Sequence, residues 1–368
     1  MSARAISIAA IALLLGLACA GGCGGVVLEQ PIGSGGAASS GTGAAGPHAC
    51  TEGFADCNGD AADGCEVDLG SDPASCGACD RDCEGSPCNE GLCEPVVLAS
   101  SLVYPSRIAL DAARVYWTSA AGDVSAMPLA GGAISTLAAG QDDPFDLAVD
   151  AHGVYWTSVG ANTVEAVGLA GGLPVLLAEA GNPLGIALHA SVVYFADSYD
   201  KLGSDDHIRR VPLPAGPPSV VAATSGAWMV AVDDARAYWT DPAGAAVWSA
   251  PIGGGEPTLL AGGIVDATEI EVDAEAAYVT GLEATFRVPL AGGPPQALVW
   301  GAGRGLAIDA THVYVGTADG RVLRVLKTGG PALALARTAL YPSDIAVDDT
   351  HVYWVARSDD GTLVRTPK

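Results

Sequence analysis

The sequence predicts an all-β protein in which a small disulfide-rich module precedes a β-propeller. Two observations predict the propeller. A unit of about forty residues repeats from about residue 105 to the end of the chain, and each unit holds short apolar runs separated by turn residues. The 368 residues include 49 Gly and 23 Pro, and only 6% are aromatic. Turn formers and small apolar residues in these amounts suit many short strands better than long helices.

Each repeat carries a tyrosine at the same place in its second predicted strand, in sequences such as VYWTS and AYWTD. Successive tyrosines are 39, 39, 44, 40, 36 and 39 residues apart. An apolar strand that ends in Asp precedes most of them, and a third strand, a Gly turn and a fourth strand follow most of them. A period near 40 residues with four short strands is typical of a propeller blade. The seven tyrosines are Tyr116, Tyr155, Tyr194, Tyr238, Tyr278, Tyr314 and Tyr353.

Seven copies predict seven blades. The last copy stops after its third strand, and Val96–Ser100 resembles the fourth strand of the other copies. We therefore predict that this upstream segment pairs with the C-terminal blade and removes an open sheet edge. The AYWTD motif at 237–241 resembles YWTD and NHL-like propeller repeats. This resemblance covers about 270 residues and implies a fold but no catalytic set. YWTD domains usually have six blades, so a six-bladed ring is the alternative.

The N-terminus predicts export. Arg4 precedes an apolar run over residues 6–17, which is too short to span a bilayer but fits a signal peptide over residues 1–18. Gly16-Leu17-Ala18-Cys19 resembles a bacterial lipoprotein signal, which implies lipid attachment at Cys19; Cys23, or cleavage without lipid, is the alternative. Residues 19–49, rich in Gly, Ser and Ala, predict a flexible tether. We expect an outer-membrane or cell-surface lipoprotein, with a periplasmic or secreted protein as the alternative.

We predict a disulfide-rich module over residues 50–94 and the propeller over residues 95–368. A segment this short cannot bury enough apolar surface to fold alone, so an even, dense set of cysteines in an exported chain predicts four disulfides. The spacing leaves the pairing open, and Cys76-x-x-Cys79 has no second such pair or paired His that would favour zinc. The segment resembles small Cys-rich modules of bacterial surface proteins and the plant Stig1-type pattern, which implies extracellular placement. The cysteines are Cys50, Cys57, Cys65, Cys76, Cys79, Cys83, Cys88 and Cys93.

An acidic turn in this module opens like a calcium loop. The stretch 56–60 (DCNGD) places oxygen-bearing side chains at alternate positions, and Asp63 and Glu66 follow. An EF-hand needs Gly at position six and Glu at position twelve, where this chain has Ala61 and Val67. We predict no cofactor, with calcium at this turn as the alternative to a solvated acidic turn.

Candidate binding residues are those that differ between copies. The Asp that follows the first strand recurs, and we expect it to cap the backbone of its turn. Residues just before the first strands differ from copy to copy, and they should surround one mouth of the central channel. Rigid scaffolds present binding groups in this way. The predicted ligand-binding residues are Arg107, Phe145, Asp146, Trp228, Glu269, Arg304 and Asp344, with Tyr199 and His207 from a long insertion in the third copy.

The charge balance excludes one class of partner. With 42 acidic against 17 basic residues the net charge is −25, and phosphate backbones would repel such a chain, so we expect no nucleic-acid partner. GxSxG, HExxH and P-loop motifs do not occur in the sequence. We therefore predict a binding or scaffolding module for a protein, glycan or small ligand at the cell envelope. The alternative is a propeller hydrolase or lyase, metal-dependent or not, in which His207 acts with Asp205 or Asp206.

Overall fold

The computed structural model describes residues 50–60, 62–198, 206–214 and 216–368, which all belong to one compact unit. The predicted signal peptide and tether, with the predicted lipid site at Cys19 and its alternative Cys23, lie outside the described residues, and so does Tyr199. No segment within the described part of the chain forms an apolar helix of membrane-spanning length.

The module contains two small antiparallel hairpins, and four disulfides hold it together. The disulfides join Cys50 to Cys65, Cys57 to Cys79, Cys76 to Cys88 and Cys83 to Cys93. The strands are β1 (Phe54–Ala55), β2 (Val67–Asp68), β3 (Cys88–Asn89) and β4 (Leu92–Cys93).

Seven four-stranded antiparallel sheets make up the rest of the described chain, so the predicted seven-bladed propeller is confirmed and the six-bladed alternative is wrong. The first strand after the module is β5 (Val96–Leu102). Blade 1 contains β6 (Pro105–Leu110), β7 (Arg114–Ser119), β8 (Asp123–Pro128) and β9 (Ser135–Ala138). Blade 2 contains β10 (Pro144–Val149), β11 (Gly153–Ser158), β12 (Thr163–Gly168) and β13 (Val175–Glu179). Blade 3 contains β14 (Pro183–His189), β15 (Val192–Asp197), β16 (Asp206–Pro212) and β17 (Ser219–Thr224).

The remaining blades repeat this order. Blade 4 contains β18 (Val230–Val232), β19 (Arg236–Asp241), β20 (Ala246–Pro251) and β21 (Thr258–Gly262). Blade 5 contains β22 (Ile270–Val272), β23 (Ala276–Thr280), β24 (Ala284–Pro289) and β25 (Gln296–Trp300). Blade 6 contains β26 (Gly303–Ile308), β27 (His312–Thr317), β28 (Arg321–Leu326) and β29 (Leu333–Arg337). Blade 7 contains β30 (Pro342–Val347), β31 (His351–Ala356), β32 (Gly361–Pro367) and β5.

Blade 7 joins the two ends of the propeller sequence. Strand β32 lies between β31 and β5, and its residues Gly361 and Leu363 are opposite Leu102 and Ala99 of β5. The strand order of the blade is thus completed by a segment that comes before blade 1 in the chain. Since β5 and β32 are separated by about 260 residues of sequence, this pairing fixes the ring as a whole rather than one blade.

The repeated second strand forms the core between blades. Trp156, Trp239 and Trp354 are completely buried. The threonine that follows the aromatic pair links neighbouring blades. Thr157 accepts a hydrogen bond from the Asp146 amide at 3.2 Å and donates one to the Leu184 carbonyl of blade 3 at 2.7 Å. Burial on both faces explains why the strands are apolar throughout rather than alternating.

The recurrent Asp caps its turn, as its position predicts. In blade 4 the Asp233 carboxylate accepts hydrogen bonds from the amides of Ala235 and Arg236, each at 2.7 Å, and from the Tyr238 hydroxyl at 2.8 Å. Burial by itself would raise the pKa of Asp233, but these hydrogen bonds hold it below its usual value. The tyrosine is therefore more than a core residue, because its hydroxyl fixes the orientation of the cap.

The disulfide-rich module packs on the outer strand of blade 6. Arg81 is buried, and its guanidinium donates to the carbonyl of Leu335 in β29 at 2.8 Å and to that of Cys76 at 3.1 Å. Burial and, to a smaller extent, the charge of the nearby Arg324 lower the pKa of Arg81 to about 10. A second contact joins His351 Nε2 to the Glu84 carboxylate at 2.9 Å. The module therefore covers part of a sheet edge that would otherwise be open.

Candidate functional site

The innermost strand of each blade lines the central channel. Such a strand has a ladder partner on one side only, so its other edge faces the axis. Nine residues before the repeated tyrosine, each blade places one residue at the same level, just inside one mouth. We call these seven residues the ring layer: Arg107, Asp146, Gly185, Met229, Glu269, Gly305 and Asp344.

Arg107 reaches across the channel from blade 1. It is buried, and its Nη1 lies 2.7 Å from Glu269 Oε1 in blade 5 and 3.9 Å from Asp344 Oδ1 in blade 7. Its Nη2 donates to Met229 Sδ at 3.6 Å, and its guanidinium carbon lies 5.1 Å from the centre of the Phe145 ring. Burial by itself would lower the pKa of Arg107, but the surrounding carboxylates raise it above its ordinary value. The guanidinium therefore stays charged and closes this level of the channel.

Two of the ring-layer carboxylates tie neighbouring blades together. Asp146 accepts hydrogen bonds from the amides of Leu147 in its own strand and Ile186 in blade 3, both at 2.9 Å. Asp344 does the same for Ile345 in its own strand and Ile108 in blade 1, also at 2.9 Å.

Asp146 and Asp344 hold protons more tightly than exposed aspartates. Burial raises the pKa of Asp146 to about 6, although Arg107 opposes the shift. Burial also raises the pKa of Asp344 well above its usual value. Both side chains therefore have a structural role, because they join neighbouring blades. That they also bind a ligand stays a prediction.

One further carboxylate lies deeper in the channel. Two residues past the ring layer, six blades have alanine and blade 5 has Glu271, which lines a cavity of about 120 Å³. The side chain of Glu271 makes no hydrogen bond or ion pair with any other residue that the structure describes. Burial raises its pKa to about 7, and the charges of Glu269 and Asp146 add to the shift. The six alanines are Ala109, Ala148, Ala187, Ala231, Ala307 and Ala346.

We expect the substitution Glu271→Gln to stabilise the protein at neutral and alkaline pH but not at acidic pH. The pKa of Glu271 in the folded protein is about 7, against 4.5 for an ordinary glutamate. The folded state therefore holds a proton that the unfolded chain has released, and the free energy of unfolding falls as the pH rises between these values. The variant should be more stable than the wild type by about 1–3 kcal/mol at pH 8 and unchanged near pH 4.

Urea unfolding of both proteins at the two pH values measures this difference. Glu275→Gln, which alters an exposed carboxylate, is the matched control and should show no such pH dependence. An equal effect of Glu271→Gln at both pH values would contradict a raised pKa.

The structure gathers six of the predicted binding residues at this mouth. Phe145 and Trp228 are partly buried beside Arg107, with their rings edge to face and 5.7 Å between centroids. They join Asp146, Glu269 and Asp344 around the guanidinium. Their contacts are made to one another, so this set forms an internal cluster. A triple substitution of Arg107, Asp146 and Trp228 would consequently disturb the fold as well as any ligand.

Two predicted residues lie outside this cluster. Arg304 is exposed, and its guanidinium carbon is 5.9 Å from the centre of the Tyr341 ring. His207 lies in the third strand of blade 3, opposite Asp197 and Ala223, and its side chain makes no hydrogen bond with another described residue. The described chain does not place it beside the ring layer, and its catalytic use with Asp205 or Asp206 is untested.

Sequence reasoning missed a group of exposed apolar side chains on the same face. Most of them belong to loops that enter the first strands or join the second and third strands, which are the loops around the ring-layer mouth. Trp300 is the last residue of β25, just before such a loop. Trp300 is 72% exposed, Leu282 54% and Tyr341 46%. The Leu282 amide donates to the Val265 carbonyl at 2.9 Å, which holds two of these loops together. We call this group the mouth-face patch: Val103, Tyr104, Val265, Leu282, Trp300, Leu340 and Tyr341.

The acidic turn of the module brings three carboxylates together. Oxygens of Asp56, Asp63 and Glu66 all lie within 4.8 Å of one another. Glu66 accepts a hydrogen bond from the Cys57 amide at 3.0 Å, and Asp63 accepts one from the Asn58 side chain at 2.9 Å. Oxygen donors of this kind suit calcium, and calcium at this turn stays a prediction.

Comparisons with known proteins support the fold. No family model and no curated protein matches the chain. Among solved structures, a streptogramin B lyase aligns with a TM-score of 0.62 at 14% identity, over 74% of this chain and 97% of that one. The WD40 propeller domain of Doa1 gives 0.62 at 11% identity, over 75% and 97%. The computationally designed Ika8 protein gives 0.56 at 14% identity, over 74% and 98%. At these identities the likeness extends to the fold alone, and it agrees with the seven-bladed β-propeller that the strand pairing shows.

Proposed function

We propose that this protein is an exported, lipid-anchored envelope protein whose propeller binds a partner protein through the mouth-face patch. The observation that carries the binding proposal is the patch itself. Seven large apolar side chains exposed on consecutive blades 5, 6, 7 and 1 share one face of a rigid scaffold. Apolar groups concentrated in this way mark interaction sites on soluble proteins.

The chemistry of the patch favours a protein partner. Trp, Tyr and Arg dominate the binding energy of protein interfaces. The patch contains Trp300 and Tyr341, and Arg304 lies beside Tyr341. Because regular blades hold the loops at both ends, little conformational entropy is lost when a partner binds.

Catalysis at the mouth has weaker support. Asp146 and Asp344 accept hydrogen bonds from backbone amides, and Glu269 is paired with Arg107. Acid–base chemistry needs a group that is free to exchange a proton with a substrate, and these groups already hold the blades. The fold is shared with a streptogramin B lyase, but a shared fold alone does not transfer an activity.

Export and anchoring rest on the N-terminal sequence and on the disulfides. Four disulfides form and persist in an oxidising compartment. If Cys19 carries lipid, Cys19→Ala should move the protein from the membrane fraction to the soluble fraction, whereas Cys23→Ala should leave it in place. Retention of the Cys19→Ala protein in membranes would overturn this assignment.

Truncating the patch should abolish partner binding without unfolding the protein. We expect Trp300→Ala with Tyr341→Ala to reduce retention of the partner at least tenfold, because hot-spot aromatic residues contribute about 2 kcal/mol or more each. Chemical crosslinking in intact cells, followed by quantification of the captured protein, measures the retention.

The opposite face supplies the control. Leu173, in a loop of the other face, is 92% exposed, and Leu326, at the end of β28 on that face, is 47% exposed. Leu173→Ala with Leu326→Ala removes a comparable apolar area and should leave retention unchanged. If the two double variants lose the partner equally, the mouth-face patch is not the binding surface.

A further inference from the structure

Acidic side chains lie among the apolar groups of the mouth-face patch. Asp266 follows Val265, and Glu283 follows Leu282. The amide of Tyr104 donates to the Ser358 carbonyl at 2.7 Å, which places this tyrosine beside the acidic loop that continues through residues 359–360. We call four of these residues the mouth-face acids: Asp266, Glu283, Asp359 and Asp360.

The mouth-face acids are available to a partner. All four are exposed, and none makes a side-chain hydrogen bond or an ion pair with another residue in the described part of the chain. Asp319, on a neighbouring loop, is different because Arg321 already pairs with it at 2.8 Å. Of the basic residues described on this arc, Arg304 and Arg357 are exposed. The patch therefore presents apolar groups with an excess of unpaired negative charge.

We propose that the partner contributes a cationic segment that presents Lys or Arg side chains and apolar side chains on the same face. The proposal rests on the proposed protein-binding function and adds the chemistry of the ligand. An apolar residue and an acid are adjacent in sequence in both blade 5 loops, so a matching partner needs apolar and basic groups at similarly short spacing. Successive side chains of an extended peptide point to opposite faces, so the neighbours that contact one surface are two residues, about 6.6 Å, apart. Complementary charge then determines which segments bind and raises their rate of association.

Other occupants fit the patch less well. An anionic membrane surface would be repelled by the mouth-face acids and by the net charge of −25. Sugars stack on aromatic rings, yet Val265, Leu282 and Leu340 offer only aliphatic surface. A second copy of this chain would bring like charges together at the same patch.

Three synthetic peptides of about twelve residues test the proposal against the full-length protein. In the first peptide pairs of Lys alternate with pairs of Leu or Tyr, so that each face of the extended chain carries both kinds. In the second peptide Glu replaces each Lys, and in the third Ser does. Fluorescence anisotropy at about 50 and 150 mM salt measures affinity. The Lys peptide should bind at least tenfold more tightly than the Ser peptide and lose affinity as salt rises, and the Glu peptide should not bind.

Two matched triple variants separate local recognition from overall charge. Asp266→Asn, Glu283→Gln and Asp359→Asn neutralise three mouth-face acids. Asp234→Asn, Glu256→Gln and Asp349→Asn neutralise three exposed acids of the opposite face. Both variants change the net charge by the same amount. We expect the first to weaken binding of the Lys peptide about five- to twentyfold and the second by less than about twofold.

Each outcome decides one claim. Equal weakening by the two triple variants would show attraction to overall charge and overturn the proposal. Equal binding of the Ser and Lys peptides, lost in the Trp300→Ala, Tyr341→Ala protein, would overturn the cationic partner while leaving the binding face intact. Binding to vesicles of anionic lipid instead of the Lys peptide would assign the patch to a membrane. If no peptide binds and the Trp300, Tyr341 variant keeps its partner in cells, the proposed function itself fails.

Discussion

Replacing Arg107 by methionine is expected to lower the free energy of unfolding at pH 7 by about 3–5 kcal/mol. The substitution leaves the Glu269 carboxylate buried without the guanidinium that lies 2.7 Å from it. It also removes the positive charge that favours ionisation of Asp146 and Asp344. A buried carboxylate without its partner is far more destabilising than the loss of a surface ion pair. Guanidinium-chloride unfolding at pH 7 measures the change.

Two further variants make this result specific. Arg304→Met removes an exposed arginine from the same mouth and should change stability by less than about 0.5 kcal/mol. Adding Glu269→Leu to Arg107→Met removes the unpaired charge as well, and the double variant should recover part of the lost stability. The effect of Arg107→Met should also shrink as the pH falls below about 6, where Asp146 takes up a proton. An Arg107→Met protein that unfolds at the wild-type denaturant concentration would contradict the structural role of the cluster.

Removing residues 361–368 is expected to abolish cooperative folding of the propeller. The deletion takes away β32, which carries the buried Leu363 and Val364 and is the pairing partner of both β31 and β5. The loss of each buried side chain costs about 2–3 kcal/mol, and the loss of each ladder hydrogen bond costs about 1 kcal/mol. Together these losses are as large as the free energy of unfolding of a typical domain. Open edges on β31 and β5 would also favour aggregation.

Circular dichroism and size-exclusion chromatography check this expectation. Deletion of Lys368 alone removes its 2.9 Å ion pair with Asp309 and leaves β32 intact, so its melting temperature should fall by only a few degrees. If the longer deletion still melts cooperatively as a monomer, the ring does not depend on the β32–β5 pairing.

The repeat made the architecture predictable from sequence. Blade number follows from counting tyrosines, because each Tyr–Asp pair belongs to one turn of one blade. The number of disulfides follows from eight cysteines in a short segment, but their pairing does not, since the same spacing allows many pairings. The Tyr238 hydroxyl bond to Asp233 was not foreseen, because a tyrosine in a buried strand is also explained by packing alone.

The candidate site was only partly predictable. Arg107, Asp146, Glu269 and Asp344 are visible in the sequence because the residue at this position differs from copy to copy and these four copies have a charged one. Their mutual contacts are not visible, since Arg107 and Glu269 are more than 160 residues apart and meet only when the ring closes. The mouth-face patch leaves no periodic signal: Leu282 is one apolar residue in a short loop, which by itself is unremarkable on a protein surface.

Site-specific photocrosslinking in intact cells tests the central claim, partner binding at the mouth-face patch, most directly. A photoreactive amino acid replaces Trp300 in one protein and Leu173, which is 92% exposed on the opposite face, in another. We predict a discrete crosslinked partner from position 300 and none from position 173. Crosslinking of the same partner from position 173 alone, or equally from both positions, would contradict the account.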